Sequence, residues 1–112
     1  MDDNMKNIVI GKGKLEEKGV YANRAFRKGE IVIQYRLKPL TEMQYKKLSK
    51  SEKMFTHVHR NQIYLYSEPE RYVNHSANPN TYQDLDKKQD IALRNVKKGE
   101  EITTDSKKDD VK

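Results

Sequence analysis

Three groups of side chains in this sequence have types and spacings that chemistry uses. His57 and His59 stand one residue apart, as some metal ligands do, and His75 is a third imidazole. No carboxylate stands at a spacing that completes a metal set. The chain has no cysteine, which excludes thiolate metal sites, thiol catalysis and disulfides. A strand or loop with two surface histidines accounts for the pair, and no metal is assigned. Gly11-Lys12-Gly13-Lys14 has the glycines and cations of a phosphate loop, but lacks the Gly-Lys-Ser/Thr step and a following helix. The third group is Asn74-His75-Ser76. Its amide both donates and accepts hydrogen bonds. Ser76 and His75 are sequence neighbours, which rarely point at one another, so they do not read as a nucleophile and its base.

The elements that must position these groups are mostly short strands. Ile8-Val9-Ile10 before Gly11 predicts a first strand, and Gly19-Val20-Tyr21-Ala22 a second. Ile31, Ile33, Tyr35 and Leu37 alternate with Val32, Gln34 and Arg36, which predicts a strand with one face on the core, ended by Pro39. Thr41 with Gln44 three residues later reads as a capping box, opening a short helix over residues 42–48. Ile63 to Tyr66, Ile91 to Leu93 and Ile102 to Thr104 read as further strands. Residues 74–80 are rich in turn formers and contain Pro79.

One pattern occurs twice. Ala22 to Ile31 and Ala92 to Ile102 both read as a strand, a short polar link, a Lys-Gly-Glu turn and a strand. The glycine of each turn is expected at positive φ. Two copies are too few for a solenoid, so they are read as two similar units of one mostly β domain.

Arg71-Tyr72-Val73-Asn74-His75-Ser76-Ala77-Asn78-Pro79-Asn80 resembles the signature of the SET domain, with every fixed position filled. In family order, Lys18 to Ala22 with Lys28-Gly29-Glu30 resembles the N-terminal SET motif, and Gly99 to Asp105 the C-terminal one. The resemblance spans nearly the whole chain. It implies a SET-type β-clip fold: mostly β with minor α, several short sheets, and a C-terminal pseudoknot threaded under the Asn-His-Ser loop. It further implies a protein-lysine N-methyltransferase that uses S-adenosylmethionine and acts on a protein with a target lysine. Lys18, Gly19, Val20, Asn74 and His75 match the positions that hold the cofactor. Tyr35 and Tyr72 stand where the family has pocket or core aromatics, and the core is the reading taken.

The sequence departs from the family in two places. Glu17-Lys18-Gly19 stands where the family usually has Gly-x-Gly, which brings a negative charge toward the cofactor's carboxylate. Ser106 stands where the motif ends in its catalytic tyrosine. The attacking lysine, with a pKa of ~10.4, must be neutral, and nitrogen, methyl and sulfur must lie in line. A misplacement of ~1 Å can lower the rate ~100-fold. A serine stem is too short to place its hydroxyl where the tyrosine's would be, and Tyr64 and Tyr66 are the nearby alternative hydroxyls. Two readings therefore stand: an active methyltransferase, or a SET-fold binding or regulatory module that has lost catalysis.

Length and charge bound the rest. The 112 residues allow one domain, read as residues 1–106 with a polar tail at 107–112. The N-terminus is polar and no apolar run suits a signal peptide or membrane span, so an intracellular protein, cytoplasmic or nuclear, is expected. The net charge of +6 keeps nucleic acid open as a third reading. The basic residues are scattered among acids, however, and no aromatic-plus-basic motif supports it. A homodimer is compatible with the sequence.

Overall fold

The structure is a computed structural model that describes residues 4–14 and 16–105. A helical turn, α1 (Asn4–Asn7), leads into β1 (Ile8–Gly11), which pairs antiparallel with β2 (Gly19–Ala22) from Ile8 opposite Ala22 to Gly11 opposite Gly19. β3 (Ile31–Gln34) follows the first Lys-Gly-Glu turn. β4 (Lys38–Leu40), α2 (Glu42–Lys46), α3 (Lys50–Lys53), β5 (Thr56–His59) and β6 (Gln62–Leu65) come next. A 3-10 turn (Glu70–Tyr72) precedes β7 (Asn74–His75), β8 (Thr81–Asp84), β9 (Gln89–Ala92) and β10 (Glu101–Thr104). The strands form three sheets, ordered β1-β2-β10-β7, β3-β9-β8 and β4-β6-β5. This is the mostly β, several-sheet architecture that the sequence predicts.

The two repeated units fold alike and on each other. Phe26 and Val96 exchange backbone hydrogen bonds at 2.9 and 2.8 Å. Gly29 donates to the Ala92 carbonyl and Gly99 to that of Ala22, both at 2.8 Å. Ala92 returns a bond to Glu30 and Ala22 to Glu100, both at 2.9 Å. Each turn closes by a bond from its glutamate N–H to the carbonyl three residues earlier, with glycine at φ +90° or +94°, as a type II turn requires at that position. Between the units lies the core: Ile8, Val20, Phe26, Ile33, Val96 and Ile102 are at most 1% exposed.

Several local expectations are corrected. The alternation over residues 31–37 breaks: Ile31 is exposed, while the consecutive Val32 and Ile33 are both buried. A register shift between Ile31 and Ile33 turns the strand there. Pro39 does not end a strand but lies within β4, opposite Tyr64. β4 is an edge strand, where a residue without an N–H is tolerated. The capping box forms in both directions, Thr41 and Gln44 bonding each other's backbone, but α2 stops at Lys46. A second cap at Ser49 then starts α3, which was not anticipated. β5, β7 and β8 carry no strand signal in the sequence, because their residues are largely polar. Arg71 closes this region onto the signature, pairing with Glu52 at 3.1 Å and donating from Nε to the Tyr66 carbonyl at 3.0 Å.

Candidate ligand-binding site

The site forms where β2, β7 and β10 meet. β10 pairs antiparallel with β2 and parallel with β7, Thr103 opposite Asn74 and Thr104 opposite His75. Asn80, 2% exposed, holds β10 from the other end of the signature. Its amide donates to the Glu101 carbonyl at 2.8 Å and accepts from the Thr103 N–H at 2.9 Å. Thr81 donates to the Thr103 carbonyl at 2.7 Å, and the Ser76 N–H to that of Thr104 at 2.9 Å. A buried polar side chain with its partners met fixes a strand more specifically than apolar contact does.

Asn74 joins all three segments. Its Nδ2 donates to the Lys18 carbonyl and to a Glu101 carboxylate oxygen, both at 2.9 Å. With both N–H groups engaged, Oδ1 is the atom it offers to a ligand. A Cβ on Gly19 would lie 2.6 Å from Glu101 Oε2 and 3.0 Å from the Gly13 Cα, so the Glu101 carboxylate would have to move. Gly13 is the more restricted, since its Cβ would lie 2.7 Å from the backbone carbonyls of both Glu16 and Lys18, which cannot swing away. Glycine is needed for this close approach of backbones.

An open cavity of about 790 Å³ lies against these residues, a size that suits a cofactor-sized molecule. Lys14 and Glu16 border it from the β1–β2 loop, Asn74 to Asn78 from the signature, and Arg94, Glu100, Glu101 and Thr103 from the second repeated unit and β10. Charges of both signs therefore face it. His75 is half-exposed, with Nδ1 at 3.6 Å from an Asp105 oxygen.

The structure thus brings Lys18 and Gly19 to Asn74 and sets His75 at the cavity. Val20 has its side chain wholly in the core and reaches the site only as part of the β2 backbone. Glu17 is exposed, and Glu16 rather than Glu17 borders the cavity. Ser106 lies outside the described residues. Tyr35 is a core residue, 6% exposed, whose hydroxyl donates to buried Asp90. Burial, then the neighbouring Asp90, raises its pKa far above the usual phenol value. Tyr72 is half-buried against the core, with the Lys18 ammonium 4.8 Å from its ring centroid.

Gly13, Asn80 and Glu101 escaped the sequence reading. Asn80 and Glu101 lie within the family motifs but have no distinguishing local signal, and Gly13 lies in a loop that resembles a phosphate motif only in composition. The histidine pair differs from its surface expectation too. His57 is stacked on Tyr66 and Tyr64, with ring centroids at 4.6 and 5.6 Å. Burial, then His59, lowers its pKa to about 4, so it is neutral at pH 7. His59 instead meets Asp86 at 2.9 Å, which Arg60 also contacts at 2.8 Å.

A family model of the SET domain matches residues 17–105. The chain belongs to the SET-domain family. No curated protein matches it. Among solved structures, it is similar to a crystal structure of a Plasmodium falciparum protein that carries the provisional name histone methyltransferase. The identity is 21% over 88% of this chain and 91% of the other, with a TM-score of 0.70. At that identity the likeness concerns the fold. Among the described residues no helix is long and apolar enough to cross a membrane.

Proposed function

We propose that this chain binds S-adenosylmethionine in the cavity beside Asn74 and is a protein-lysine N-methyltransferase of the SET type. The observation that carries the reading is Asn74, which ties Lys18, Glu101 and the signature loop together at the cavity edge. When bound, S-adenosylmethionine supplies an electrophilic methyl group on a sulfonium. The donor set suits its zwitterionic end: Asn74 Oδ1 and the carboxylates of Glu16 and Glu101 can face an ammonium, and Lys14 or Arg94 a carboxylate. The bonds around β10 are read as the family's threaded pseudoknot, with Asn80 as its fastening. The His75 backbone is assigned to the adenine by its match to the family motif. The protein substrate is not assumed to be a histone tail, because the net charge of +6 repels a basic partner at long range.

Calorimetric titration of the folded protein with S-adenosylmethionine tests this reading. Saturable binding is expected, weakened about tenfold in Asn74→Ala by loss of one bond to a charged group. Failure to bind at millimolar cofactor would overturn it. Ser106, at the family's tyrosine position, favours a second reading: a module that binds without transferring. Lysine methylation appearing only in Ser106→Tyr would establish the module, and methylation by the unaltered chain would exclude it.

A further inference from the structure

The positive charge that looks scattered in sequence is gathered in space by the pairing of the two repeated units. The exchange of bonds between Phe26 and Val96 sets residues 24–28 antiparallel to residues 94–98. The Lys28 N–H also bonds the Asn95 side chain at 2.9 Å, locking one turn to the other unit. Arg24, Arg27, Lys28, Arg94, Lys97 and Lys98 therefore share one lobe, although the two halves lie far apart in sequence. The lobe's acids are turned to internal use. Glu30 accepts from the Arg27 N–H at 2.6 Å and pairs with Arg24 at 3.4 Å. Glu100 accepts from the Lys97 N–H at 2.7 Å and pairs with Arg94 at 3.2 Å.

Two arginines thus match two glutamates, and Arg27, Lys28, Lys97 and Lys98 remain. All four are exposed, and among the described residues no ion pair engages them. They equal four of the chain's net charge of +6. They stand on two turns related by an approximate two-fold, each tip reading cation, cation, glycine. The tips carry no aromatic side chain on which a base could stack, and the nearby Phe26 is buried beneath Arg24 at 4.0 Å. Cations without a stacking partner suit the phosphates of a duplex better than the exposed bases of a single strand.

We propose that this lobe is a sequence-independent binding surface for double-stranded nucleic acid. The four cations at the turn tips contact phosphates, and the pairing of the units holds them in register. Arg94 and Glu100 also border the cavity, but the four tip cations do not, so their binding of phosphates stands or falls without the methyltransferase reading.

The test is fluorescence anisotropy of a mixed-sequence DNA duplex of about 20 base pairs, titrated with the full chain across a salt series. Four phosphate contacts predict a log–log salt slope near about −3.6, or a loss of roughly 100-fold between 50 and 200 mM salt. Changing Arg27, Lys28, Lys97 and Lys98 to Gln together should weaken binding at low salt at least about tenfold and flatten the slope. A control set with the same change in net charge takes exposed Lys38, Lys46, Lys47 and Lys87 to Gln, and should keep most of the affinity. Thermal melts verify that both variants fold. Equal losses in the two sets would overturn the proposal, because net charge alone would then explain binding. Tighter binding to the single strand, or equal binding to polyglutamate, would overturn it as well.

Discussion

After Gly29 the chain runs Glu30-Ile31-Val32-Ile33, and after Gly99 it runs Glu100-Glu101-Ile102-Thr103. Up to those glycines the two units share their turn, their cross-unit bonds and their arginine–glutamate pair. They diverge in what the next strand carries. β3 buries Val32 and Ile33 and pairs with β9. β10 keeps apolar Ile102 for the core but offers Glu101 to Asn74 and Thr103 to Asn80. The same frame thus delivers one strand to the core and another to the site. Glu101 and Thr103 tie the second strand to the signature loop.

Removing the contact shared by both units should have the largest effect. Phe26→Ala is expected to destabilise by ~3–5 kcal/mol and Val96→Ala by ~2 kcal/mol, since both side chains are at most 1% exposed. Chemical denaturation measures both. A loss near zero for Phe26→Ala would mean that the units stand independently. Next comes the fastening of β10. Asn80→Ala leaves the Thr103 N–H and Glu101 carbonyl without their side-chain partners, and should destabilise by ~2 kcal/mol. It should also weaken cofactor binding, whereas Phe26→Ala, measured where it is folded, should not. If both lower affinity equally, the division between frame and site is wrong.

Much of the frame was legible because it is written locally. Lys-Gly-Glu after a strand, the Thr41–Gln44 cap and the Ile8–Ile10 run each specify their structure within a few residues. The signature showed where Asn74 and His75 would be by its order alone. What could not be read depends on contacts distant in sequence. Nothing near Gly13 reveals that the Lys18 carbonyl and the Asn74 side chain crowd it. β8 and β5 are polar in sequence and become strands only because β9 and β6 pair with them. The basic lobe was invisible for the same reason, since its two halves meet only through bonds between units distant in sequence, Phe26 with Val96 among them.

A smaller effect tests the likeness of the turns directly. At Gly29 and Gly99 an added Cβ meets no atom within 4 Å, yet φ is +90° and +94°. Alanine there is strained by backbone conformation alone, at roughly 1–2 kcal/mol. Gly29→Ala and Gly99→Ala should therefore lower stability by equal amounts. Unequal losses would show that the strand beyond each turn, and not the turn, sets the demand for glycine.

The smallest effect lies in the glutamates. The Arg27 and Lys97 N–H groups, followed by Arg24 and Arg94, hold Glu30 and Glu100 below the ordinary value of 4.5. The folded state therefore binds these protons less readily than the unfolded chain does. Their contribution is complete above about pH 4.5 and fades as pH falls through the lowered values. Both carboxylates are partly exposed, so salt and solvent keep that contribution small. In Glu30→Gln and Glu100→Gln the backbone acceptor survives while the charge does not. Each variant should melt slightly below the parent at pH 7, and the gap should close as pH falls through the lowered values. Matching gaps in the two variants would mean that both turns use the carboxylate in the same way. A gap at Glu100 that responds to S-adenosylmethionine while that at Glu30 does not would place the divergence of the units at the cavity wall, one residue before β10 begins.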